Sequence, residues 1–147
     1  MPADSSLSAE VTWGDGLQFV ARGDTPCAAF VLDGSPQHGG RNSGVRPMEA
    51  LLISLASCTG MDMVSILRKR RQRVTGFRVR ARGIQAKEHP RRFVHIELEY
   101  LVRGRGISEQ AVARSIELSQ TRYRGVTVSL SAEVTSSYVI ELEDATE

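Results

Sequence analysis

The chain has 147 residues, of which 41% are apolar, 24% charged and 5% aromatic, with a formal net charge of +2 and a sequence pI near 8.8. This lies close to the soluble globular average, which excludes long disorder, collagen and coiled coil and leaves one domain whose core needs neither disulfide nor metal. So mild a charge and so few aromatic rings give a nucleic-acid partner little support, and the longest apolar run, about 50–56, falls short of the ~20 residues of a membrane span.

The opening residues, Met1 to Ser6, carry no basic or apolar leader. A cytoplasmic location follows as the expectation, with residues 1–9 flexible. A strand over Glu10–Trp13 turns at Gly14-Asp15-Gly16 and returns over Leu17–Ala21. Glycine and aspartate suit the positive φ of a tight hairpin. A third strand is predicted at Ala28–Leu32. Residues 33–46 then form a glycine-rich loop, of a length that is usually functional or mobile in a compact domain.

Pro47 opens a long helix. Proline costs no hydrogen bond at the first helical position, and Glu49 suits the positive end of the helix dipole. Leu52, Leu55, Thr59, Met63, Ile66 and Leu67 recur at helical spacing, and Gly60 is a point where the helix can bend. Arg68 to Arg73 and then Gly76 are stop signals. Phe77–Lys87 and Val94–Val102 alternate as strands joined by a turn near Glu88–Arg91. That hairpin sets Arg82 opposite Glu97 and Arg80 opposite Glu99, pairs worth roughly 0.2–1 kcal/mol each. The arginine stripe thus has a structural use. Ser108 caps a second helix running to about Ser119. Val126–Thr135 and Tyr138–Glu143 predict a last hairpin around Ser136-Ser137. The order of elements gives a single α+β domain over 1–147 with antiparallel pairing.

Residues able to do chemistry are few. His38, His89 and His95 lack partners at zinc-ligand spacing, so neither a metal nor an organic cofactor is expected. Two cysteines are too few for a disulfide scaffold. Cys27 opens a strand and reads as packing. Cys58 lies in mid-helix, where a free cysteine is most often a small core residue. Reactivity there requires a stabilised thiolate, and the helix N-terminus is too far away to provide it. A cation from another element is needed, and Arg41 and Arg46 are candidates. Glu49 and Cys58 are nine residues apart, on opposite faces of a straight helix. They serve one site only through a bend or a second subunit; alone, Glu49 reads as a first-turn carboxylate. The run Arg68–Arg73 is the kind that meets phosphate, although such runs more often solvate a helix end. The glycine-rich loop lacks the Lys-Ser/Thr ending of a P-loop.

Residues 46–64, RPMEALLISLASCTGMDMV, resemble the signature of the OsmC/Ohr superfamily of osmotically inducible and organic hydroperoxide resistance proteins. Residues 62–67, 93–102 and 111–119, with Tyr123 beyond them, resemble its YhfA-like branch. The resemblance implies an α+β fold with antiparallel strands around a long central helix, in an intertwined homodimer. It also implies a thiol peroxidase site at the dimer interface. The first cysteine attacks the peroxide and becomes a sulfenic acid, a second resolves it, and an arginine and a glutamate hold the thiolate. Cys58 matches the reactive cysteine. The resolving place, after Tyr123, holds Arg124. The usual two-cysteine cycle therefore cannot run. Either Cys58 acts as a one-cysteine peroxidase on small or organic hydroperoxides, reduced by an external thiol or dithiol, or the fold is kept to bind an apolar ligand. The glutamate falls on Glu49 in the broader superfamily, and on Met48 in the hydroperoxide resistance branch. The arginine falls on Arg41, with Arg124 as a second candidate. Cys27 replaces the resolver only if its Cα comes within about 7 Å of that of Cys58.

Overall fold

A computed structural model of the chain describes residues 5–25, 28–122 and 125–144. The chain divides into two compact units, Met1–Leu51 and Leu52–Glu147.

In the first unit β1 (Ala9–Trp13), β2 (Phe19–Gly23) and β3 (Ala29–Leu32) form an antiparallel meander. The predicted β1–β2 turn is present: Gly14 N donates to Gln18 O and Gln18 N to Asp15 O. Ser8 precedes β1 and is tied to the Asp24 carboxylate through its N–H and hydroxyl. The register aligns Val11, Ala21 and Phe30 in one row and Trp13, Phe19 and Leu32 in the next. These rows share one apolar face, yet Val11, Trp13 and Phe30 are each more than half exposed.

The loop after β3 is ordered around one buried acid. Asp33 accepts from the N–H groups of Gly34, Arg41 and Ser43 and from the Ser43 hydroxyl. A single 3-10 turn, Pro36–His38, lies inside the loop, and Val45 returns to pair with Leu32. Gly44 is required there, since a Cβ would lie 2.3 Å from the Val31 carbonyl oxygen. The Ser43 hydroxyl, aided by the backbone donors against the cost of burial, holds the Asp33 carboxyl down to about 2. Its contribution to stability is therefore full above its unfolded value near 3.8 and is lost as pH falls through about 2. Asp33→Ala is expected to speed amide exchange at Arg41 and Ser43 by roughly tenfold or more near neutral pH. Unchanged exchange would show that the loop is held by something else.

Helix α1 (Pro47–Lys69) begins in the first unit and runs into the second. By length and composition it could cross a membrane, which corrects the expectation from the apolar run. Core helices of soluble proteins share that property, and α1 buries Leu55, Thr59, Gly60, Met63, Ile66 and Leu67. Gly60 lies close to the strand that follows the helix, where an added Cβ would come within 3.2 Å of Val79 and 3.4 Å of Phe77.

The second unit pairs β4 (Arg73–Gln85) with β5 (Phe93–Arg105) antiparallel, and β5 with β6 (Glu133–Leu142) parallel. Arg82 faces Glu97 and Arg80 faces Glu99 in the predicted register. The inner face carries Phe77, Val79 and Ala81, then Ile96, Leu98, Tyr100 and Val102, then Val134, Ser136, Tyr138 and Ile140. Helix α2 (Glu109–Thr121) starts at Ser108, whose hydroxyl accepts from Ala111 N. It lies on the sheet through Gln120 to Ser136 and Glu109 to Tyr138.

The predicted last hairpin is not formed. Residues Gly125–Val128 make a short helix, α3, and Ser136-Ser137 lie inside β6. The physical reason is the period. Val134, Ser136, Tyr138 and Ile140 alternate inward without a break, and a turn at the serines would have reversed that phase. The β5–α2–β6 connection is thus a crossover to a parallel strand, while the α+β class stands. Leu67 is fully buried, and Leu67→Ala is expected to cost about 2–5 kcal/mol in urea unfolding. A loss under about 1 kcal/mol would mean that α1 is not packed as described.

Candidate functional site

Cys58 is on α1, half-buried, at the edge of the stripe formed by Leu55, Thr59 and Met63. It is a free thiol. A position at the edge of the core rather than in it keeps the sulfur within reach of a small molecule, as a reactive cysteine requires.

One turn further on, and on the same side of the helix, stands Asp62. Its side chain is half-buried, and Oδ2 is buried with no hydrogen-bond partner among the described residues. Desolvation pushes its carboxyl above the ordinary aspartate value. The sequence reading missed this residue. The available signal was an acid four residues after the cysteine, within an otherwise apolar stretch.

Each of the other described sequence candidates has a hydrogen-bond partner close in its own unit. Arg41 and Glu49 belong to the first unit and spend their bonds there. The Arg41 guanidinium donates to Asp15 at 2.9 Å, and both side chains are exposed. Glu49 Oε1 accepts from Arg46 N at 2.9 Å, so the carboxylate satisfies a backbone donor at the start of α1. The Arg46 guanidinium reaches Asn42 Oδ1. Arg124 and Cys27 lie outside the described residues. Among the described residues no three His, Cys, Asp or Glu side chains form a group able to hold a metal.

The opposite flank of α1 borders a groove of ≈ 840 Å³ between the helix and β4. Ile53, Gly60, Met61 and Val64 line it from the helix, and Phe77 and Val79 from the strand. Ile53 is 52% exposed and Met61 72%. The helix thus presents the thiol and the unpaired acid on one flank and an open apolar groove on the other.

A sequence model described as OsmC-like protein matches residues 40–138. YhfA of Escherichia coli K12 is 34% identical over 139 residues, covering 91% of this chain and 98% of YhfA. The chain belongs to the OsmC-like family. A solved structure of a hypothetical protein from Aquifex aeolicus superposes with a TM-score of 0.81 at 26% identity, over 96% of this chain and 100% of that one. An organic hydroperoxide resistance protein from Elizabethkingia anophelis shares the fold at a TM-score of 0.64 and 13% identity, over 97% and 100% of the two chains. The OsmC-like match contains Glu49, Cys58 and Asp62, as well as the groove.

Because desolvation raises the Asp62 carboxyl in the folded chain, its ionised form is less favoured there than in the unfolded chain. The stability associated with it is present below 3.8 and is lost as pH rises through the folded value. Asp62→Asn is expected to raise the urea midpoint at pH 7 and to leave it nearly unchanged at pH 3. A lower midpoint at pH 7 would show that the ionised carboxylate has a partner.

Proposed function

We propose that this chain is a thiol-dependent peroxidase that reduces organic or small hydroperoxides through Cys58. The observation that carries the reading is a free, half-buried cysteine on the long helix of an OsmC-like protein. The Cys58 thiolate attacks one oxygen of the hydroperoxide. The O–O bond breaks, the sulfur gains that oxygen as a sulfenic acid, and the remaining alkoxide takes a proton and leaves as an alcohol. A first external thiol then forms a mixed disulfide with release of water. A second thiol, or the second sulfur of a dithiol, frees Cys58 and leaves as the oxidised disulfide. This one-cysteine cycle answers the presence of Arg124 at the resolving place. Glu49 and either Arg41 or Arg124 would hold the thiolate, in a site completed by a second copy of the chain in the cytoplasm.

Two features support the homodimer. The β1–β2–β3 sheet leaves Val11, Trp13 and Phe30 exposed on its apolar face, and Asp62 Oδ2 has no partner within the described chain. The apolar groove beside α1 favours a second reading, a dimeric stress protein that binds a small apolar ligand without turnover.

Exposure of the purified protein to one equivalent of cumene hydroperoxide with dimedone, followed by mass spectrometry, separates the two. Rapid dimedone addition at Cys58, absent from Cys58→Ser, is the expected result. A Cys58 that stays a free thiol at millimolar peroxide would overturn the peroxidase reading and leave the binding protein.

A further inference from the structure

A second cavity, of ≈ 560 Å³, lies where the end of α1 meets the start of α2. Its size falls within the range of small-molecule sites. Arg70 and Gln72 line it from the end of α1 and the turn into β4, and Ser108, Gln110, Ala111 and Arg114 line it from α2 and its cap. Among the described residues it shares no lining with the groove between α1 and β4. Arg70 comes from the basic run 68–73, which the chemistry proposed for Cys58 does not use.

The walls are fixed by the turn that ends α1. Arg71 N donates to Arg68 O and Gln72 N to Leu67 O, with Arg71 at a left-handed φ of 57°. Glycine usually takes that place at a helix end, so an arginine there carries strain. The turn delivers the Gln72 side chain to α2. Its Oε1 accepts from Ser108 N at 2.8 Å, and its Nε2 donates to Arg70 O at 3.2 Å. One amide thus ties the end of α1 to the cap of α2, next to the buried Ile107 and Ala111. The backbones that carry Arg70 and Arg114 are held at a set spacing before any ligand arrives.

Two guanidiniums on one concave surface concentrate positive potential there. Both side chains are exposed and within reach of a solute. Arg114 pairs with Glu117 on its own helix at 3.0 Å, an exposed contact that a doubly charged anion displaces at little cost. Each guanidinium can give two parallel N–H donors to an oxyanion. A phosphoryl group, with its three terminal oxygens and a charge near −2, can answer both arginines at once, whereas a carboxylate is matched by one. The site rests on these side chains and not on the helix end, since Ala111 N and Val112 N already donate to Ser108.

We propose that this cavity is a binding site for the phosphoryl group of a small molecule, held between the guanidiniums of Arg70 and Arg114. The Gln110 amide is a further donor at the same site. The site is independent of the chemistry proposed for Cys58.

The test is a titration of the isotope-labelled full chain with glucose 6-phosphate, inorganic phosphate and lactate in parallel, at constant ionic strength, followed through backbone amide resonances. Both phosphates are expected to shift residues 70–72 and 108–114 saturably, and lactate to bind more weakly. The tighter of the two phosphates tells whether the group arrives on an ester or free, and either order supports the site. Arg70→Gln and Arg114→Gln change exposed side chains, so the fold is kept. Each is expected to weaken phosphate binding about tenfold, the worth of one charge-assisted hydrogen bond. Arg78→Gln removes an exposed arginine from the outer face of β4 and is expected to leave the affinity unchanged. Four results would overturn the proposal. They are no saturable shift up to tens of millimolar phosphate, lactate binding as tightly, an Arg70→Gln or Arg114→Gln chain that binds like the parent, or an equal loss in Arg78→Gln, which would mean diffuse attraction to a basic surface.

Discussion

One face of the β4–β5–β6 sheet has to be kept from water, and most of the second unit is arranged to do so. Ile96, Tyr100 and Val102 are fully buried and Leu98 is 2% exposed. The alternate residues, Arg78, Arg80, Arg82, Glu97, Glu99 and Arg103, face solvent. A slip of one residue would exchange the two sets, so burial itself pins the register. Ion pairs such as Arg82–Glu97 and Arg103–Glu141 follow from that register. They are exposed and screened by solvent, so they contribute little. The same constraint places α2, since a chain that returns parallel must cross over the sheet and can cover it on the way.

A layer this dry makes each polar atom in it consequential. Some are satisfied within their own helix: Ser115 Oγ donates to Ala111 O and Thr59 Oγ1 to Leu55 O. Asp62 Oδ2 and Ser119 Oγ find no partner among the described residues, and the Tyr100 hydroxyl has Thr59 and Ser136 beside it. Asp62 lies one turn from the thiol on α1, and Tyr100 lies at the centre of the sheet. The first unit follows a different logic. Its sheet leaves apolar side chains uncovered, and its order comes from a buried carboxylate, Asp33, that draws a fourteen-residue loop (33–46) around itself. That network gives structure to a segment whose length and glycine content suggested a functional or mobile loop.

The sequence alone determined α1 and α2, β4 and β5 with their register, and the position of Cys58. In each case the information is local or periodic. Pro47, the apolar spacing and the basic run mark α1 within its own residues, Ser108 marks α2, and the Arg/Glu alternation sets β4 against β5. Only the tertiary structure decided the rest. Residues 126–143 read as two strands of a hairpin, yet form a short helix and one parallel strand, in which Val134, Ser136, Tyr138 and Ile140 keep a single inward phase along β5 through the serines. Only the fold reveals that Glu49 answers a backbone N–H, that Arg41 answers Asp15, and that Asp62 holds a buried polar atom without a partner among the described residues. Such facts depend on which groups from distant segments exclude water from one another, and that is not encoded in spacing along the chain.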